Sequence, residues 1–169
     1  MDFFMFEHLK EMLMSNLIRA LVVAEKPSVA ASIAAALGAN HRGDGYVEGG
    51  GFLVSWCLGH LVEQAEAGDY DPGYAKWTRG DLPIIPEQWK YRVIPETRKQ
   101  YDTLTKLMND ERVTEIICAT DAGREGELIF RLVYNLCGCR KPVKRLWVSS
   151  LEESAIRKGI GSSRHSPDS

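Results

Sequence analysis

Short apolar runs alternate with stretches in which apolar residues recur every three or four positions. Residues 20–24 (Ala-Leu-Val-Val-Ala) form the first run, and residues 115–120 (Glu-Ile-Ile-Cys-Ala-Thr) form a second. Runs this short and this apolar predict strands covered on both faces, as in a parallel sheet. Residues 143–148, preceded by Pro142, and residues 89–94 predict two more strands. Residues 29–37 are alanine-rich and predict a helix closed by Gly38. Pro27 suits its first turn, where the missing N–H is no loss. Residues 96–110, 128–136 and 151–158 also carry helical spacing, with Ser149 and Ser150 as caps for the last. Residues 46–48 and 52–57 flank Gly49-Gly50-Gly51, which predicts a hairpin. Residues 63–86 form a long irregular segment with turns at Asp71-Pro72-Gly73 and Asp81-Leu82-Pro83. The order β-α-(β-β)-β-α-β-α-β-α predicts an α/β fold. It has a mainly parallel sheet with helices on both faces, plus a β-hairpin and a long loop insertion.

A chain of 169 residues is long enough for one domain with a proper core and too short for two of ordinary size. The expected domain spans residues 17–160. Residues 1–16 read as an N-terminal extension, with Phe3, Phe4, Phe6, Leu9, Met12 and Leu13 on one apolar face. It is either an extension without function or a short amphipathic helix that docks on the body or a partner. It lacks the basic start of a secretory signal. Residues 161–169 have the composition of a disordered tail. The formal charge of −2 gives no global basic field, so any polyanion must be met by a local patch. The four cysteines form no C-x-x-C pair and no zinc-ligand spacing. They read as reduced thiols of a cytoplasmic protein. No stretch is long and apolar enough to span a membrane.

Candidate chemistry gathers at two strand tips. Asp121-Ala122-Gly123-Arg124-Glu125-Gly126-Glu127 lies between a strand and a helix, where open α/β sheets place their ligand sites. Acids that complement a helix dipole would explain this stretch if it stood alone. The second tip, Glu25-Lys26, repeats the pattern and argues against that reading. If the two strands are neighbours, the acids converge. Clustered carboxylates repel one another, and a hard divalent cation removes that cost. Asp121 and Glu125 suffice for magnesium, which keeps several waters, and manganese is an alternative. Crowding by other acids favours a protonated Glu25, able to lend its proton to a leaving oxygen. Lys26 and Arg124 are placed to hold phosphate. The chemistry expected is metal-assisted handling of a phosphodiester. Tyr70, Tyr74 and Trp77, interleaved with Lys76 and Arg79, form either a stacking surface for single-stranded nucleic acid or a cover folded over the core.

Three elements in matching order carry a family resemblance. They are Leu21-Val22-Val23-Ala24-Glu25-Lys26-Pro27-Ser28, Leu58-Gly59-His60-Leu61, and Ala119-Thr120 with the acidic stretch at 121–127. Together they resemble the Toprim domain of type IA DNA topoisomerases, closest to the topoisomerase III branch. Trp147-Val148-Ser149-Ser150-Leu151 is similar to the end of that domain, and the likeness covers residues 17–160. The resemblance implies a Toprim-like fold related to the Rossmann type, and a magnesium-dependent isomerase that cleaves and rejoins single-stranded DNA. It implies Glu25, Lys26 and Arg124 as catalytic residues. It puts Lys26, His60 and Arg124 against nucleic acid, and Asp121 and Glu125 at the metal. Gly123 stands where the family's second aspartate is usual, so Glu127 or water would compensate. The family cleaves DNA with a tyrosine on a separate domain, and none of the tyrosines here matches that motif. The chain alone is therefore expected to be inactive in relaxation and to need the remaining topoisomerase domains as partners. A free-standing metal-dependent Toprim nuclease and a non-catalytic Toprim-like DNA-binding module are the alternatives.

Overall fold

The computed structural model describes residues 18–147 and 150–162, and the backbone of 164–165. The N-terminal amphipathic segment and the Ser149 cap lie outside the described residues. Strand β1 (Ala20–Ala24) leads into helix α1 (Pro27–Leu37). Three strands follow: β2 (His41–Arg42), β3 (Tyr46–Gly49) and β4 (Phe52–Trp56). Strand β5 (Val62–Gln64) and the one-turn helix α2 (Ala67–Tyr70) come next, then β6 (Tyr91–Val93) and helix α3 (Arg98–Met108). The second half holds β7 (Glu115–Ala119), α4 (Arg124–Leu136), β8 (Val143–Arg145), α5 (Glu153–Gly161) and β9 (Arg164–His165).

The main sheet has the order β2-β3-β4-β1-β7-β8-β9. β1 runs parallel to β4 and β7, and β7 runs parallel to β8. The expected α/β architecture is therefore present, and successive residues of β1 show why the strand is uniformly apolar. Leu21 and Val23 pack with Leu104 and Met108 of α3 and Phe130 of α4. Ala20, Val22 and Ala24 pack with Ile33 of α1 and Ile156 of α5. A strand covered on both faces has no position for a polar residue. Helix α1 ends at Gly38, whose φ of 72° is left-handed.

Several boundaries differ from the sequence expectation. Residues 89–94 contribute only three residues of strand, and these pair with Val62–Gln64 in a separate two-stranded ribbon. The long loop insertion is thus partly ordered by that ribbon and by α2. Arg92 bonds Glu63 across the ribbon at 2.8 Å. The strand expected at 143–148 ends at Arg145. Helix α5 begins after Glu152, not after a serine cap. Within the expected tail, the backbone of Arg164–His165 pairs with Lys144–Arg145 as an edge strand. Helix α4 begins four residues before residue 128, where its apolar periodicity starts. Its first turn is polar, and apolar spacing cannot see it.

The chain runs from β1 to β4 on one side and later returns to β7 on the other. The carboxyl ends of β1 and β7 therefore flank the switch point of the sheet, the usual place for a ligand in this architecture.

Candidate active site at the paired strand tips

β1 and β7 lie in register, with Ala24 opposite Ala119. Glu25 follows β1 directly, and Asp121 follows β7 after Thr120. The backbone N–H of Asp121 donates to Glu25 Oε2 at 3.0 Å. The two acid-bearing tips therefore meet, as expected of neighbouring strands. Below them Cys57 is buried, and its thiol is pushed up to about 12 by desolvation, then by the nearby Cys118 and Glu25 charges.

Glu125 sits in the exposed first turn of α4, behind the N-cap Gly123. The loop between β4 and β5 brings His60 Nε2 within 2.7 Å of Glu125 Oε1. The Glu125 side chain nevertheless remains 74% exposed, so its carboxylate is open to further ligands. The two glycines of this turn differ in kind. A Cβ on Gly126 would lie 2.3 Å from the Asp121 carbonyl oxygen, so the helix start rests directly on the Asp121 backbone. A Cβ on Gly123 would meet nothing within 4 Å. Its φ of −76° is open to any residue. The fold does not require glycine at 123.

Glu127 points elsewhere. One carboxylate oxygen accepts from Arg131 Nε at 2.8 Å, one turn along α4. The other accepts from Arg145 Nη2. Arg145 is only 6% exposed. It also donates to the Thr120 carbonyl at 2.7 Å. Sequence reading passed over Arg145. The available signal was an arginine two residues after Val143, on the inward side of a short strand.

Lys26 and Arg124 are both exposed and line different hollows. Lys26 lines a cleft of about 560 Å³ with Ser28, Ser32, Thr120, Asp121 and Trp147. Arg124 lines a second hollow of about 460 Å³ with Gly123, Leu128, Arg145 and Trp147. Ala122 and Trp147 border both. In the loop insertion, Trp77 is exposed while Tyr70 and Tyr74 are half-buried. Tyr70 is tied locally, its hydroxyl accepting from the Lys90 N–H at 2.7 Å.

As a cation site, the donor set is incomplete in protein groups alone. Among the described residues, no three His, Cys, Asp or Glu side chains gather closely enough to hold a metal ion. Asp121 and Glu125 offer exposed hard oxygens. That fits an ion which takes one or two carboxylates and fills its shell with water and phosphate.

A family model described as the Toprim domain matches residues 20–151. The chain is 48% identical over 143 residues to DNA topoisomerase 3 of Staphylococcus epidermidis. It is also 48% identical over 143 residues to DNA topoisomerase 3 of Staphylococcus aureus strain USA300. Each alignment covers 85% of this chain and 20% of the relative, so the chain spans about a fifth of the length of these proteins. Among solved structures, full-length topoisomerase I from Thermotoga maritima superposes with a TM-score of 0.55 at 21% identity. That superposition covers 86% of this chain and 21% of the other, and it shows a shared fold. The resemblance carried by the three sequence elements is borne out. Both acid-bearing strand tips, His60 and Arg145 fall within the matched span, and the chain belongs to the Toprim domain family.

Proposed function

We propose that this chain supplies the Toprim half of a DNA cleavage and rejoining site of type IA topoisomerase character. The observation that supports it best is the meeting of Glu25 and Asp121 across β1 and β7 at the switch point, with the exposed Glu125 in the helix turn that follows Asp121. Asp121 and Glu125 would hold a divalent cation, magnesium or manganese, which when bound neutralises charge developing on a phosphodiester. Glu127 is left out of that ligand set because two guanidinium groups occupy its carboxylate.

The chain's own residues divide the remaining work. The Asp121 amide fixes one oxygen of Glu25, which orients the carboxyl group. Glu25 gives a proton to the 3′ oxygen as the phosphorus–oxygen bond breaks, and takes it back on rejoining. The attacking tyrosine belongs to a further domain of the intact enzyme, and its oxygen forms the 5′-phosphotyrosine bond. Lys26 and Arg124 hold phosphate oxygens from the two hollows that meet at Ala122. His60 steadies Glu125 near the strand. The substrate is single-stranded DNA, which can enter the open cleft beside Lys26 without a duplex to part. Four unbridged cysteines, three of them buried, suit a reducing cytoplasm.

A calorimetric titration with Mg²⁺ and Mn²⁺ tests the site. Asp121→Asn and Glu125→Gln should each weaken binding relative to the parent. Unchanged binding in both variants would remove the assignment. The chain alone should leave supercoiled plasmid unrelaxed while binding a single-stranded oligonucleotide more tightly than the duplex. Metal-dependent nicking by the chain alone, abolished in Asp121→Ala, would instead identify a nuclease.

A further inference from the structure

We infer that Arg145 is a positioning residue that, through Thr120, Asp121 and Glu127, sets the turn presenting Asp121 and Glu125. The inference rests on the proposed role of those two acids in holding a divalent cation. Arg145 ends β8, opposite Cys118 of β7. Its Nη1 donates to the Thr120 carbonyl at 2.7 Å, to Thr120 Oγ1 at 3.3 Å and to the Asp121 carbonyl at 3.5 Å. Its Nη2 donates to Glu127. Every one of these partners lies in the segment that runs from the end of β7 into the first turn of α4.

A guanidinium this buried is costly unless its charge and its N–H groups are all matched. Here the match exists only when the Thr120 peptide and the Glu127 carboxylate keep one spatial relation. The planar fork of donors thus locks the end of β7 to the start of α4, across residues 121–123, which are exposed. The close backbone approach of Gly126 to Asp121 joins the same two segments, and the fork adds side-chain bonds to it. The N-cap Gly123 makes no side-chain cap bond. Charge adds to the geometry, because Arg145 and Arg131 both pair with the Glu127 carboxylate and hold it against the β8 side of the turn. A lysine at 145 would keep the charge but could not span the carbonyls and the carboxylate as a fork does.

The test is Mg²⁺ calorimetry on the parent, Arg145→Lys, Glu127→Gln and Gln100→Ala, each first shown to be folded by circular dichroism. Gln100 is buried on α3 and does not contact the turn, so its variant reports what lost stability alone does to binding. Arg145→Lys should weaken Mg²⁺ binding by about tenfold or more, the usual scale for residues that orient metal ligands. Glu127→Gln should weaken it in the same direction, and Gln100→Ala should leave it unchanged. If Arg145→Lys does not fold, Glu127→Gln carries the test. Folded Arg145→Lys or Glu127→Gln protein with parental affinity overturns the inference while leaving the cation site intact. Absence of Mg²⁺ binding in the parent overturns the cation site itself, and the inference with it.

Discussion

The backbone N–H of Asp121 donates to Glu25 Oε2 at 3.0 Å, although the two residues are 96 positions apart in the chain. This bond joins the tips of two parallel neighbouring strands and holds one carboxylate against the turn that carries another. Glu25→Ala removes the acceptor and should lower stability by about 1 kcal/mol, the ordinary worth of one such bond. Glu25→Gln keeps an acceptor oxygen and should stay close to the parent. Chemical denaturation of the three proteins checks this. Equal loss in both variants would mean that the charge matters and the bond does not.

Gly126 and Gly123 should respond in opposite ways. In Gly126→Ala the new Cβ meets the Asp121 carbonyl at 2.3 Å, and the clash is with backbone that cannot swing aside. Overpacking of this kind should cost about 1–3 kcal/mol and shift the acid turn.

Gly123→Asp meets nothing within 4 Å and needs no unusual φ. An aspartate there adds an N-cap, worth about a few tenths of a kcal/mol over glycine. Its charge next to Asp121 and Glu125 works against that gain when no cation is bound. Thermal unfolding should therefore change little without metal and rise with Mg²⁺ above the parent's rise. A Tm that ignores Mg²⁺ in both proteins would rule the third-acid position out.

Gln100 and Ser55 form a buried polar tie between α3 and β4. Gln100 Nε2 donates to Trp56 O at 2.8 Å and to Ser55 Oγ at 3.1 Å, and Ser55 Oγ donates to Gly45 O at 2.8 Å. Gln100→Ala leaves the Trp56 carbonyl without this donor and should cost about 1–3 kcal/mol. Urea unfolding measures it, and a change within error would show that water replaces the amide.

Burial raises the Cys57 thiol from an ordinary 9.0 to about 12. The unfolded chain releases that proton from about pH 9 upward while the folded chain retains it, so the folded state binds more protons in this window. The stability tied to Cys57 is complete below pH 9.0 and is lost as pH rises toward about 12. The slope should be about 1.4 kcal/mol per pH unit. Cys57→Ala should flatten that alkaline decline, measured as unfolding free energy against pH. Parallel declines in the two proteins would refute it.

Much of the fold was legible because its determinants are local or periodic. The uniformly apolar run at Ala20–Ala24 announces a strand covered on both faces, and it is one. Pro27 and Gly38 bracket α1 because a missing N–H and a left-handed φ are tolerated only at such ends. The loop insertion was less legible. The ribbon of Val62–Gln64 with Tyr91–Val93 pairs short segments far apart in sequence, and neither has a strong pattern of its own. The start of α4 was missed for a related reason: Gly126 marks a backbone contact with Asp121, not an apolar face.

By itself the sequence determined which residue types stand at the strand tips: Glu25 with Lys26, and Asp121 with Arg124 and Glu125. It also determined that Gly123 stands between Asp121 and Glu125, since identity and spacing need no coordinates. Only the tertiary structure decided which of those residues meet. Sheet order made β1 and β7 neighbours and so brought Glu25 to Asp121. It turned Glu127 away from the acids to Arg131 and Arg145, and it made Arg145 a buried tie. The physical reason is that a carboxylate becomes a ligand, a proton donor or a latch according to which opposite charge or donor lies nearest in space, and long-range pairing sets that distance.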